Sequence, residues 1–280
     1  MPGCSWPWRS PAGYVGMIVN VLLQASRWIA SIVAILAALI FIGLGIQNAG
    51  RPEDVYGYPM AAERLVHGES IYADPRPQDD RLTYRHAPWL AWLWVGLNRL
   101  PAPVLLWQLA SLAAAVFVIV SLARLGGHAG LLLAALALPL LGAVPHANVG
   151  ILMTALLVWR RADPWSVGIA ASLKIYPLLL CVGYIAERRW RDLATAVGLA
   201  GLLWLPALWS GIGDWVPPPG LQSHPLFPVA AAVTVGISLL LALRRSRWTW
   251  LAVGAALPVS IPHYVGIEYI WAAARRLTRH

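Results

Sequence analysis

Charge is scarce in this chain. Only 12% of its 280 residues are Asp, Glu, Lys or Arg, against roughly 25% in a soluble domain. With 59% hydrophobic residues and a mean hydropathy of +0.64, it cannot cover a globular surface with polar groups. That argues against a soluble fold and for an all-α, polytopic integral membrane protein, since a spanning helix needs about 20 apolar residues. Lysine is almost absent: Lys174 is the only one among 21 basic residues. Cysteine is reduced to Cys4 and Cys181. One lies near the start and the other in an apolar run, so no disulfide is expected and a metal–thiolate site is excluded. Glycine-rich phosphate loops, HExxH and CxxC are all missing, which removes the usual grounds for a soluble nucleotide-sugar site, a zinc site or a cofactor. Asp79-Asp80 is an acidic pair without metal-ligand spacing, so no metal is assigned. The net charge of +9 comes without a nucleic-acid motif, and nucleic acid is not expected as a partner.

What is present is a series of apolar runs near 28–47, 103–123, 129–145, 148–159, 165–187, 192–210, 226–243 and 248–274. The first is too long for a signal-peptide core and is read as an uncleaved span. Arg9 and Arg27 precede it and put its start in the cytoplasm, with 48–102 outside. The run 165–187 tests this layout. As one ordinary span it would deliver Glu187-Arg188-Arg189-Trp190-Arg191 to the wrong face. A turn at Lys174-Ile175-Tyr176-Pro177 makes it a hairpin and returns the cluster to the cytoplasm, and Pro177 favours that break. A second broken pair is expected to turn at Pro262-His263-Tyr264.

Fourteen arginines then fall inside and six outside, all six in the long loop 48–102. The expectation is a single membrane domain over 1–280 with about ten embedded helices, both termini cytoplasmic, and interfacial helices in the external loop.

Asp54 directly follows the first span and opens Asp54-Val55-Tyr56-Gly57-Tyr58, the start of an amphipathic stretch over 54–67 that Gly68 ends. Its carboxylate reads either as a helix N-cap or as a general base for an acceptor hydroxyl at the outer surface. Tyr84-Arg85-His86 precedes a short apolar stretch with Trp89, Trp92 and Trp94. Arg85 and His86 either bind a lipid phosphate or anchor the chain beside an aromatic belt. Lys174 lies at membrane depth, where a cation is costly unless it faces a cavity or an anion; snorkelling is the other reading. His146 and Asn148 sit at an external turn, and His263 and Tyr264 at the last break.

The order Asp54-(x)3-Tyr58-(x)2-Ala61-Ala62-(x)5-Gly68-(x)3-Tyr72, then Tyr84-(x)3-Pro88 and Leu100-Pro101, resembles the polyprenol-phosphate-sugar-dependent glycosyltransferases of family 87. Asn148, Gly168-(x)5-Lys174-(x)2-Pro177 and the Arg188-Arg189-Trp190-Arg191 run extend the likeness across about residues 30–200. That group includes mannosyltransferases of phosphatidylinositol mannoside and lipoglycan synthesis. The resemblance implies a GT-C fold and inverting transfer from a polyprenyl-phosphate sugar, mannose by family weight, to a lipid-linked or glycan acceptor. It also implies Asp54 as base, Lys174, Arg85 and His86 near the donor phosphate, and Tyr58, Tyr84, His146, Asn148, His263 and Tyr264 as further substrate contacts. Where relatives often carry Gly-Gln, this chain has His146-Ala147. A transporter or flippase of a lipid-linked sugar, or an inactive membrane scaffold, is the alternative. Broken helices also mark transporters, although no inverted repeat is visible.

Overall fold

The computed structural model describes residues 55–73, 84–125 and 127–215, with single positions at 24, 28, 32, 36, 39, 236, 237, 240, 241, 243 and 244. Among the described residues every regular element is helical. In chain order they are α1 (Gly57–Val66), α2 (Pro88–Leu97), α3 (Pro103–Ala123), α4 (Gly127–Ala137), α5 (Pro139–Ala143), α6 (Val149–Arg160) and α7 (Pro164–Leu173). A 3-10 turn (Tyr176–Leu180), α8 (Cys181–Ala186) and α9 (Trp190–Trp204) follow, and a second 3-10 stretch (Leu205–Trp209) prolongs α9. Apart from single positions, the expected spans at 28–47, 226–243 and 248–274 lie outside the described residues.

The helix starts follow from residue chemistry. Pro88, Pro103, Pro139 and Pro164 each occupy the first helical turn, where a missing N–H costs nothing. Asn148 caps α6 by accepting from Gly150 N at 2.8 Å, and Asp163 caps α7 by accepting from Ser166 N at 2.8 Å. Pro139 also divides the expected run 129–145 into α4 and α5.

Among the described residues, two helices, Pro103–Ala123 and Trp190–Trp209, are long and apolar enough to cross a membrane. Only 33% and 17% of their apolar windows are buried within the protein, whereas the core helix of a soluble protein would be mostly covered. Their bare apolar flanks and the chain's composition argue for membrane association.

The hairpin forms where it was expected. Lys174 is extended, with φ −144° and ψ 131°, and ends α7. The chain then returns through the 3-10 turn to α8, and Tyr184 there donates its hydroxyl to Ala162 O at 2.6 Å, just before the start of α7. α9 next lies along α7 through small residues: Ala170, Ala196 and Ala200 are buried. A β-carbon at Gly168 would stand 2.9 Å from Ala196 O and 2.9 Å from Leu199 Cβ. Gly168→Leu is therefore expected to wedge α7 from α9 and to destabilise the protein by about 1–3 kcal/mol, read as a lower melting temperature in detergent.

Hydrogen bonds across the sequence define one end of the bundle. Ile71 N donates to Ser210 O at 3.2 Å, and Tyr72 stacks on Trp204 at 6.2 Å. Trp107 Nε1 donates to Ala147 O at 2.8 Å, and Gln108 Nε2 to Pro145 O at 3.0 Å. The turns at 161–163 and 187–189 close the opposite end.

Two expectations need correction. α1 starts at Gly57 with Tyr56 before it and no side-chain cap among the described residues, and Asp54 lies outside them. The apolar face of α1 departs from expectation at its end: Tyr58, Ala61 and Ala62 are buried against α2, while Val66, expected on the same face, is exposed. Positions i, i+3 and i+4 fit one ring and two alanines into the core, and Val66, the last residue of the helix, is left uncovered. Trp94, expected in an aromatic belt, is fully buried because it stacks on Tyr58 at 5.7 Å and packs on Trp107 at 5.4 Å.

Candidate functional site

The segment 84–87 carries Arg85 and His86, and three hydrogen bonds join it and the start of α2 to the end of α7. Ala87 N donates to Ser172 O at 3.2 Å, His86 Nδ1 to Leu173 O at 2.7 Å, and Trp89 Nε1 to Ser172 Oγ at 2.9 Å. A carbonyl can only accept, so Nδ1 carries the proton, and in the neutral ring Nε2 is the basic nitrogen. Ser172 is itself held, donating Oγ–H to Ile169 O at 2.7 Å. Lys174 follows the clamped pair directly. Arg85, His86 and Lys174 are all half-buried, so three cation-forming groups share one partly desolvated region. Among the described residues none pairs with the Lys174 ammonium.

An aromatic wall backs this region. The Tyr58 ring lies 5.5 Å from His86 and 5.9 Å from Trp107, and Tyr84 meets His86 edge-on at 5.5 Å. The Tyr58 hydroxyl accepts from Val149 N at 3.1 Å, beside Asn148. Tyr72 donates to His86 O at 3.0 Å and Tyr84 to Ala87 O at 2.7 Å. Burial pushes both phenols well above the usual tyrosine value, so they remain neutral donors.

Of the residues singled out from sequence, Tyr58, Tyr84, Arg85, His86 and Lys174 are thus drawn together, and Asn148 adjoins them through Val149. Asn148 serves as the α6 cap, and His146 is half-buried in the turn before it. Asp54, His263 and Tyr264 lie outside the described residues. Val55, the residue after Asp54, is fully buried in the same cluster as Leu173, the residue before Lys174. No group of three or more metal-ligating side chains occurs among the described residues.

Sequence reasoning overlooked Ser172 and gave Trp89 only a place in the belt. A serine two residues from a lysine inside an apolar run was the available signal, since such a hydroxyl seeks a partner. Ser172→Ala leaves the two backbone acceptors in place but removes the bond from Trp89. A loss of about 1 kcal/mol in stability is expected, measurable by thermal unfolding.

This is an apolar helical scaffold with a basic, aromatic-backed region at one end. The sequence model of glycosyltransferase family 87 matches residues 84–220, which run from Tyr84 through the hairpin and α9. This match supports placing the chain in glycosyltransferase family 87 and indicates a glycosyltransferase. No curated protein and no solved structure matches it significantly.

Proposed function

We propose that this protein is an inverting, polytopic membrane glycosyltransferase that moves a sugar, mannose in the leading form, from a polyprenyl phosphate to a lipid-linked or glycan acceptor. The reading extends to a GT-C architecture over the whole chain, with the basic, aromatic-backed end on the extracytoplasmic side and both termini in the cytoplasm.

In this scheme Asp54 takes the proton from the acceptor hydroxyl as that oxygen attacks the anomeric carbon. The bond from that carbon to the phosphate oxygen breaks, and polyprenyl phosphate leaves with the electron pair. A phosphate is already a good leaving group, so orientation and stabilisation of its growing charge carry the catalysis. Lys174, Arg85 and His86 supply that charge. Tyr58 and Tyr84 form the back wall, and His146, Asn148, His263 and Tyr264 contact the substrates further out. The observation that carries the proposal is the clamp of His86 and Ala87 on Leu173 and Ser172, which fixes the segment bearing Arg85 against the residue preceding Lys174.

The test is purified protein given a polyprenyl-phosphomannose donor and lipid acceptors. Glycosylated lipid with inverted anomeric configuration is expected. Lipid translocation without product would favour a flippase, and neither activity would favour a scaffold.

A further inference from the structure

We propose that the end of the bundle opposite this site binds anionic phospholipid headgroups through Arg188 and Arg191, with Trp159, Trp165 and Trp190 seated at the level of the lipid ester groups. The proposal goes beyond sugar transfer and stands whether or not that reading holds.

Two turns make this surface, and they are joined. Tyr184 from α8 donates to Ala162 O at 2.6 Å in the first turn, and the Arg189 guanidinium lies 5.4 Å over the Tyr184 ring in the second. Each turn ends its helix on an arginine in the left-handed region, Arg161 at φ 56° and Arg188 at φ 56°. The following N–H closes the cap in both: Ala162 N donates to Leu157 O at 2.8 Å, and Arg189 N to Tyr184 O at 2.9 Å. Glycine or asparagine suits such a position best, so backbone geometry alone gives no reason for arginine twice.

Charge gives one. Arg160, Arg161, Arg188, Arg189 and Arg191 face only three carboxylates on these turns, Asp163, Glu187 and Asp192. Arg160 engages Asp163, and Arg189 engages both Glu187 and Asp192. Arg188 and Arg191 are exposed, and among the described residues neither has an acidic partner.

The indoles decide between a lipid and a soluble anion. Trp159, Trp165 and Trp190 are 63%, 57% and 58% exposed, each within two residues of one of these arginines or the Asp163 cap. Two turns inward, α9 presents exposed Val197, and its apolar surface continues to exposed Leu202 near the far end of the helix. Cationic groups, then indoles, then bare aliphatic surface is the polarity sequence of a bilayer from headgroup to chain.

Full-length protein in detergent provides the test, with binding of phosphatidylglycerol and phosphatidylcholine followed by native mass spectrometry and by the shift in melting temperature. Phosphatidylglycerol is expected to bind more tightly and to raise the melting temperature more. The double variant Arg188→Gly/Arg191→Gln should lose roughly tenfold or more of the phosphatidylglycerol affinity. Glycine at 188 keeps the left-handed cap, so folding is preserved, and Arg99→Gln, at an exposed position in the turn between α2 and α3 at the other end, should leave binding unchanged. Equal binding of the two lipids, or wild-type affinity in the double variant, would overturn the proposal. Displacement of the lipid by equimolar tripolyphosphate would assign the surface to a soluble anion and overturn it as well.

Discussion

Replacing Asp54 by asparagine should reduce sugar transfer by a factor on the order of 10² to 10⁴, the range a general base contributes. The amide matches the carboxylate in size but cannot take a proton, so the variant separates chemistry from shape. Val55 is buried in the cluster that also holds Leu173, which ties the chain just after Asp54 to the frame around Lys174. Loss of activity should therefore come without loss of protein from the membrane and with little change in the KM for donor. A donor-dependent transfer assay beside quantitative recovery of the variant from membranes checks both points. Undiminished transfer by the asparagine variant would remove the base assignment and, with it, the inverting mechanism drawn around it.

The parts of this fold that sequence made legible were those set by local chemistry. Pro103 and the arginine after Ala123 bracket an unbroken apolar run, and α3 fills that run from end to end. The break at Lys174 followed from a proline and from the need to return an arginine cluster to its own face, and the helix ends there. What escaped was decided by distant partners. The pattern of α1 gave its apolar stripe but not what covers it, and Tyr58, Ala61 and Ala62 are covered by α2. Trp94 looked like its neighbour Trp92, yet packing on Tyr58 and Trp107 buries the first and leaves the second exposed. The clamp of Trp89 on Ser172 joins residues 83 apart in sequence, a register that no local pattern encodes. Asn148, read from sequence only as part of an external turn, is the N-cap of α6, a role that its residue type before an apolar run could have signalled.

Lys174→Met should be the second most damaging change, lowering kcat/KM by roughly 10² to 10³, the effect of deleting one group that stabilises developing charge. Methionine keeps the length and apolar stem of the side chain, so packing around the hairpin is preserved while the ammonium is lost. Stability should not fall, because a half-buried cation with no acidic partner among the described residues carries a desolvation cost that the variant relieves. A variant that unfolds less readily yet transfers sugar poorly is the signature of a group retained for substrate rather than structure. Lys174→Arg should recover part of the activity, since it restores charge while changing the shape presented to a phosphate. Kinetics over a range of donor concentration, paired with melting curves for all three proteins, distinguish the outcomes. If Lys174→Met transfers at the wild-type rate, the ammonium is only snorkelling. The anion site must then be carried by Arg85 and His86, which the hydrogen bond from His86 Nδ1 to Leu173 O holds at the same hairpin.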